Sequence, residues 1–312
     1  MFEKLAAHFD EAKQLLLRGV IRLAPAQEYG VVTPLAQVVS PSMPVFIVGD
    51  DSYQAYAPIA ESPPPALRFG SSDSICLQQF TEQTSLALEE LAPALASSSV
   101  AMESIIAHAL YHQQECHSLT EAANRALLSM ISGIPDDTRQ QLNANQGYVL
   151  PILMAASSWR LHQGPGDIEA VGGNGHEFGI RLRGSSRWLT CQADPPVGPR
   201  FSGKHNEPVL GAIGDSAVID FCGLGGQSLD ASPELVMLWK SQLPTNWRNR
   251  RDALVDASTG VVSARRIADT GLMPLVHLAM VGAGPEAGIL GRGFYQPDPG
   301  LFTALKHQQT RG

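Results

Sequence analysis

The sequence has little charge and few aromatic rings. Asp, Glu, Lys and Arg make up 17% of its 312 residues and Phe, Trp and Tyr 6%, against 44% hydrophobic residues. A chain with so little charge and so much apolar side chain buries a core, which excludes disorder as its main state. Basic residues are outnumbered, 22 against 30 acidic ones for a net charge of −8. Arg248, Arg250 and Arg251, with Arg265 and Arg266 further on, are its nearest approach to a basic cluster, so a nucleic-acid partner is not expected. Cys76, Cys116, Cys191 and Cys222 stand far apart, with no CxxC pair, and read as reduced thiols. No apolar run approaches the ~20 residues needed to span a bilayer, and no membrane role is expected. The first ten residues contain Glu3 and Asp10 and no bare apolar stretch, so a signal peptide is not expected either. These absences together point to a cytoplasmic protein.

Glycine and proline are plentiful, 29 and 22 residues, and imply many tight turns between short elements rather than a helical bundle. Phe2, Leu5, Phe9, Leu15 and Leu16 recur near the helical period at the start. Short apolar runs follow, Val31-Val32, Val38-Val39 and Val45–Val48, cut by Pro34, Pro41 and Pro44; they read as strands. After Pro63–Pro65 the period changes. Ser72 or Asp73 can cap a helix running towards Ala92. A second helical stretch is expected from Met102 towards Met130, and another through Pro151 to Trp159. Beyond Gly164 the pattern returns to strands at 167–171, 178–182 and 188–192, then to Gly-rich loops with a helix at Pro233–Trp239 and an apolar strand at Met273–Met280. The expectation is an α+β fold, with mixed sheet regions flanking a predominantly helical insertion. Its segments are 1–71 (N-terminal helix and strands), 72–163 (helical insertion) and 164–312 (a Gly-rich α+β part packing with the first).

Four groups of residues carry candidate chemistry. Gly172-Gly173-Asn174-Gly175 can free consecutive backbone N–H groups for an anion, with His176, Glu177 and Arg181 beside them; the same residues also make a plain hairpin turn. Gly214-Asp215-Ser216 precedes Gly223-Leu224-Gly225-Gly226, which is neither a dinucleotide fingerprint nor a phosphate loop, so Asp215 and Ser216 suit either a ligand contact or a helix cap. Glu115-Cys116-His117 falls in the helical block, where His108, His112 and Glu115 would share one face at a metal-ligand spacing that lacks the glutamate base of HExxH. Ser40-Pro41-Ser42 can present two hydroxyls to a carboxylate or phosphate, with Arg68 as counter-charge, or can simply connect strands. No GxSxG elbow is present to anchor a serine hydrolase.

In collinear order, VVSPSMPVF (38–46), ALRFG (66–70), the ECH of YHQQECH (115–117), GGNGHEFGIRLRG (172–184) followed by RW, GDSAVI (214–219), GLGG (223–226) and TGLMPLV (270–276) resemble the AllG-like (YlbE-like) family, over about residues 30 to 305. The resemblance implies an α+β fold with a helical insertion. It also implies a subunit of a carbamoyltransferase that links a small amide acid of the oxamate or oxalurate type to carbamoyl phosphate, in allantoin degradation and nitrogen metabolism. FdrA-like and AllH-like proteins are its implied partners, with a homo-oligomer as the alternative.

Carried onto this sequence, the resemblance makes His117, His176 and Glu115 the catalytic set. Ser42, Arg68, Gly173, Asn174, Gly175, Arg181, Asp215 and Ser216 would bind the anionic substrate and phosphate, with no metal and no cofactor. The Gly172–Gly175 turn would cradle the oxyanion, Arg181 or Arg68 would clamp a carboxylate or phosphate, and His117 or His176 would carry the proton. A hydrolase or lyase of a small ureido or amide compound, and a non-catalytic ligand-binding or scaffold subunit, stay open beside it. The sequence departs from the family pattern at Ser118-Leu119-Thr120, at His277-Leu278-Ala279 and at Gly288–Gly293, and an N-terminal region of longer members is expected to be missing.

Overall fold

The computed structural model describes residues 2–34, 37–59, 67–68, 73–96, 99–284 and 287–302. Helix α1 (Phe9–Leu17) begins where His8 accepts from the Glu11 N–H, and none of its residues is buried. Strands β1 (Val45–Gly49) and β2 (Gln54–Pro58) form an antiparallel hairpin with Ile47 opposite Tyr56. Asp50 fastens its turn by accepting from the N–H groups of Ser52 and Tyr53. Val31 adds a single parallel bridge to Tyr56, and the expected strand at Val38-Val39 does not form.

The helices follow in one block. Asp73 caps α2 (Ser74–Leu86), accepting from the Ile75 N–H at 3.0 Å. The chain continues through a π-helical turn, Ala87–Leu91, into α3 (Ala92–Ala96). Pro93 has no N–H for the Glu89 carbonyl, and the widened turn lies directly before it. The expected helix from Met102 towards Met130 is in fact two, α4 (Met102–Tyr111) and α5 (Glu121–Met130), separated by residues 112–120. After α6 (Asp136–Ala144) comes α7 (Leu150–Gln163), with Pro151 in its first turn, where its missing N–H would have no partner anyway.

Four antiparallel strands then form a sheet in the order β5 (Trp188–Gln192), β4 (Glu177–Leu182), β3 (Ile168–Asn174), β6 (Ile213–Gly214). The short helix α8 (Ala217–Phe221) leaves β6 at once and is buried along its whole length. A 3-10 stretch, Gly225–Ala231, leads to α9 (Pro233–Trp239), α10 (Arg250–Leu254) and α11 (Ala264–Thr270). The antiparallel hairpin β7 (Val276–Val281) and β8 (Ile289–Tyr295) follows. The fold is α+β. Among the described residues, no helix is long and apolar enough to cross a membrane.

Helix α7 sits at the centre, against β1, β2, β3 and α8. Its Leu153, Met154 and Leu161 are buried in a core that draws on residues from Val32 to Phe302, and each such side chain contributes about 1.5–3 kcal/mol through burial. Helix α8 packs in turn on β3 and β7. The result is a deeply buried short helix packed on strands of two sheets, with one polar residue buried on it.

Candidate active site

That polar residue is Asp220, which is fully buried. Its Oδ1 accepts from the N–H of Gly226 at 2.8 Å and of His277 at 3.2 Å, and its Oδ2 lies 2.8 Å from Nδ1 of His117. The 112–120 segment brings His117 there. Gln113 and Cys116 adopt left-handed backbone (φ 61° and 72°), a conformation that costs non-glycine residues energy and ends helix α4 in a tight loop. Glu115 organises this loop from inside. Its carboxylate accepts from the N–H groups of His117 (3.2 Å), Ser118 (2.6 Å) and Leu119 (3.0 Å) and pairs with Nδ1 of His277 at 2.7 Å. Ser118 Oγ also reaches His277 Nδ1, at 3.2 Å.

Two carboxylate–histidine pairs, Glu115–His277 and Asp220–His117, therefore stand side by side, with the imidazole rings 5.9 Å apart. Glu115, Asp220 and His277 have no side-chain exposure, and His117 keeps 7%. Nε2 of His277 is buried and takes no hydrogen bond, nor does the indole N–H of Trp239, whose ring meets His277 edge-on at 4.7 Å. Burial opposes charge on Glu115, but the bond to His277, its positive field and the loop N–H groups outweigh it and hold Glu115 below the usual carboxylate value. Burial likewise opposes charge on His117, and the adjoining Asp220 carboxylate overcomes it, holding His117 above the ordinary histidine value. Burial pushes the Cys116 thiol up to about 12, so it is inert as a nucleophile.

The glycine segment Gly223–Gly226 wraps this centre. Gly225 has φ +50°, and a Cβ on it would lie 2.2 Å from Asp220 Oδ1. The Gly225 N–H donates to the Glu115 carbonyl at 2.8 Å. This segment thus spends two of its N–H groups on the centre itself, one on the Asp220 carboxylate and one on the Glu115 carbonyl.

The structure joins Glu115 and His117 and gives most of the other expected residues partners of their own. The Gly172–Gly175 turn does not form the expected anion nest. The N–H groups of His176 and Glu177 are taken by Asn174 Oδ1 at 2.9 and 2.7 Å, and that of Gly175 by the Ala212 carbonyl. Gly173 pairs with Gly214 in the sheet, and His176 is exposed on the turn. Arg181 is not a free clamp, because its guanidinium bridges Glu28 at 3.1 Å and Glu169 at 2.9 Å. The Ser40 and Ser42 hydroxyls do bind a carboxylate, but it is the chain's own Glu3. Arg68 is half-buried in its loop. Asp215 accepts from the Thr33 N–H and hydroxyl, each at 2.9 Å, and from Gln27, tying the N-terminal segment to β6. Burial holds its carboxyl above the usual value. Ser216 begins α8, about 6 Å of helix rise before Asp220. The helical face of His108, His112 and Glu115 does not exist. His108 and His112 are exposed on the last turn of α4 with rings 4.4 Å apart, and Glu115 is buried beyond its end.

Asp220 and His277 are the members that sequence reasoning missed. Their signal was an acid inside the apolar run AVIDF and a histidine inside VHLAMV, each costly to bury without a partner.

Residues 21–216 match the family described as oxamate carbamoyltransferase subunit AllG. The chain belongs to the AllG family. It is 24% identical to the oxamate carbamoyltransferase subunit AllG of Escherichia coli K12, over 93% of this chain and 77% of that protein. It is 25% identical to the uncharacterized protein YahG of the same organism, over 97% of this chain and 71% of YahG. Its fold matches the crystal structure of a conserved protein of unknown function from Enterococcus faecalis V583, with a TM-score of 0.84 at 23% identity, over 99% of this chain and 83% of the other. Glu115 and His117 lie inside the matched AllG region, and Asp220 and His277 lie beyond its end.

Proposed function

We propose that the chain is a subunit of a carbamoyltransferase in which a small amide acid of the oxamate type reacts with carbamoyl phosphate, and that the reaction centre is the Glu115–His277 and Asp220–His117 group. The amide nitrogen attacks the carbamoyl carbon, the bond from that carbon to the phosphate oxygen breaks, the nitrogen loses a proton, and phosphate departs. Negative charge grows on the carbonyl oxygen and on the leaving phosphate, so the centre must meet it with fixed positive charge and donors.

The observation that carries the reading is the meeting of Glu115 and His117, from the AllG region, with the two buried partners Asp220 and His277. Such a pairing of acids and imidazoles, with every carboxylate oxygen answered, holds the rings in one orientation. His117 alone of the four has side-chain exposure, so a substrate meets the centre at His117. The family's description as a subunit supports a requirement for partners. FdrA-like and AllH-like proteins are the proposed ones, covering the exposed edge of His117 and excluding water from the centre.

The test is an assay of carbamoyl phosphate with a panel of small amide acids, using the purified chain with and without such partners. Oxalurate formed from oxamate only in the reconstituted mixture is the expected result. Ligand binding without turnover in either mixture would replace the enzyme reading with a scaffold one.

A further inference from the structure

His277 Nε2 is a buried ring nitrogen with no hydrogen bond, on a side chain with no exposure. An acceptor or donor left so costs about 1–3 kcal/mol, and a fold that fixes the same ring's other nitrogen with two partners has oriented Nε2 towards something. His117, Asp220 and His277 each offer a ligand atom within 4.8 Å of the others. We propose that these three residues bind one divalent transition-metal ion of the zinc or cobalt class, with Glu115 holding His277 from behind.

Three features support the ion. A histidine ligand ordinarily gives its other N–H to a carboxylate, which fixes the tautomer and raises ligand basicity. His277 has that arrangement, Nδ1 being held by Glu115 at 2.7 Å, and this leaves Nε2 as the ligand atom. His117 Nδ1 and Asp220 Oδ2 are 2.8 Å apart, and opening this pair by about 0.6 Å reaches the ~3.4 Å between neighbouring ligands on a tetrahedral ion with ~2.1 Å bonds. The ion takes the place of the proton those two atoms share, and that proton leaves on binding. The His277 nitrogen, drawn in from within 4.8 Å of the other two ligand atoms, completes a mixed nitrogen–oxygen set suited to borderline metals. With three protein ligands, a fourth position stays open on the side where His117 reaches solvent, the arrangement of catalytic rather than structural ions. At the proposed centre this ion would polarise a carbonyl or phosphoryl oxygen. The sequence carried no such expectation, because its three ligands come from three separate segments with no common spacing.

The inference goes beyond the transfer reading, and ion binding is read without turnover, so the two fail separately. Full-length protein is stripped with a chelator, reloaded with Zn²⁺ or Co²⁺, dialysed, and its metal content and visible Co²⁺ spectrum are recorded. One ion per chain and a spectrum of a low-coordinate nitrogen–oxygen site are expected. His117→Gln and His277→Gln should abolish retention, and Glu115→Gln should weaken it about 10–100-fold. His108→Ala with His112→Ala should leave it unchanged, since that exposed pair is the competing surface site. X-ray absorption on the Co²⁺-loaded wild type covers the case in which a buried variant fails to fold; two imidazoles and a carboxylate support the site. No retained ion in the wild type, or an ion that disappears with His108 and His112, overturns it.

Discussion

Asp215 and Asp220 sit five residues apart, one just before α8 and one within it, and their partners give them different work. Asp215 holds Thr33 and Gln27 and joins the N-terminal segment to the sheet, whereas Asp220 holds His117 and the backbone around the centre. Replacing Asp215 by Ala strands the Thr33 and Gln27 donors and should lower unfolding free energy by about 2–3 kcal/mol. Denaturant unfolding checks this, and an unchanged midpoint would show that the tether is idle. The thiols give a second residue-level prediction. Cys116 and Cys222 are buried, and burial pushes both thiols up to about 12, while Cys191 is partly exposed. Labelling of the folded protein with a thiol reagent, located by mass spectrometry, should modify Cys191 first and the other two only after unfolding. Rapid labelling of Cys116 would mean that the Glu115 loop opens readily.

At the level of elements, legibility followed chemistry that the sequence spells out. A helix cap at Ser72 or Asp73, the Asn-Gly turn between β3 and β4, and the helix at Pro233–Trp239 were all readable, because each rests on a local backbone rule. The loop between α4 and α5 was not. Its left-handed residues are Gln113 and Cys116 rather than Gly or Asn, so nothing local marks the break. The buried Glu115 carboxylate holds the break open through three N–H groups, a tertiary cause. The same limit explains the site. Glu115 and His117 were singled out, while Asp220 and His277 come from a helix and a strand that only the packing of α8 on β7 brings together. The Gly225 turn lies directly against Asp220 and His117. Gly225→Ala puts a Cβ against Asp220 Oδ1 at a positive φ, and should displace the carboxylate. Far-UV circular dichroism should stay close to wild type while turnover of the reconstituted assembly falls at least ~10-fold. Full activity in that variant would detach Asp220 from the function.

For the whole molecule, a centre at the meeting of three segments ties function to the complete fold. Residues 112–120 supply Glu115 and His117, α8 supplies Asp220, and β7 supplies His277. Each acid is held by backbone N–H groups of another segment or of its own loop, so the rings are fixed before any substrate arrives. The N-terminal helix α1 buries none of its residues and lies outside this machinery. The claim on which the rest depends is that this buried centre, and not the Gly172–Gly175 turn or Arg181, carries carbamoyl transfer. The most direct measurement is the initial rate of oxalurate formation from oxamate and carbamoyl phosphate by the assembly reconstituted with its partners, comparing wild type, His117→Gln and Asn174→Ala. The account predicts a loss of about 100-fold or more for His117→Gln, with the assembly intact by size-exclusion chromatography, and a rate near wild type for Asn174→Ala. A His117→Gln assembly that turns over at the wild-type rate would contradict it.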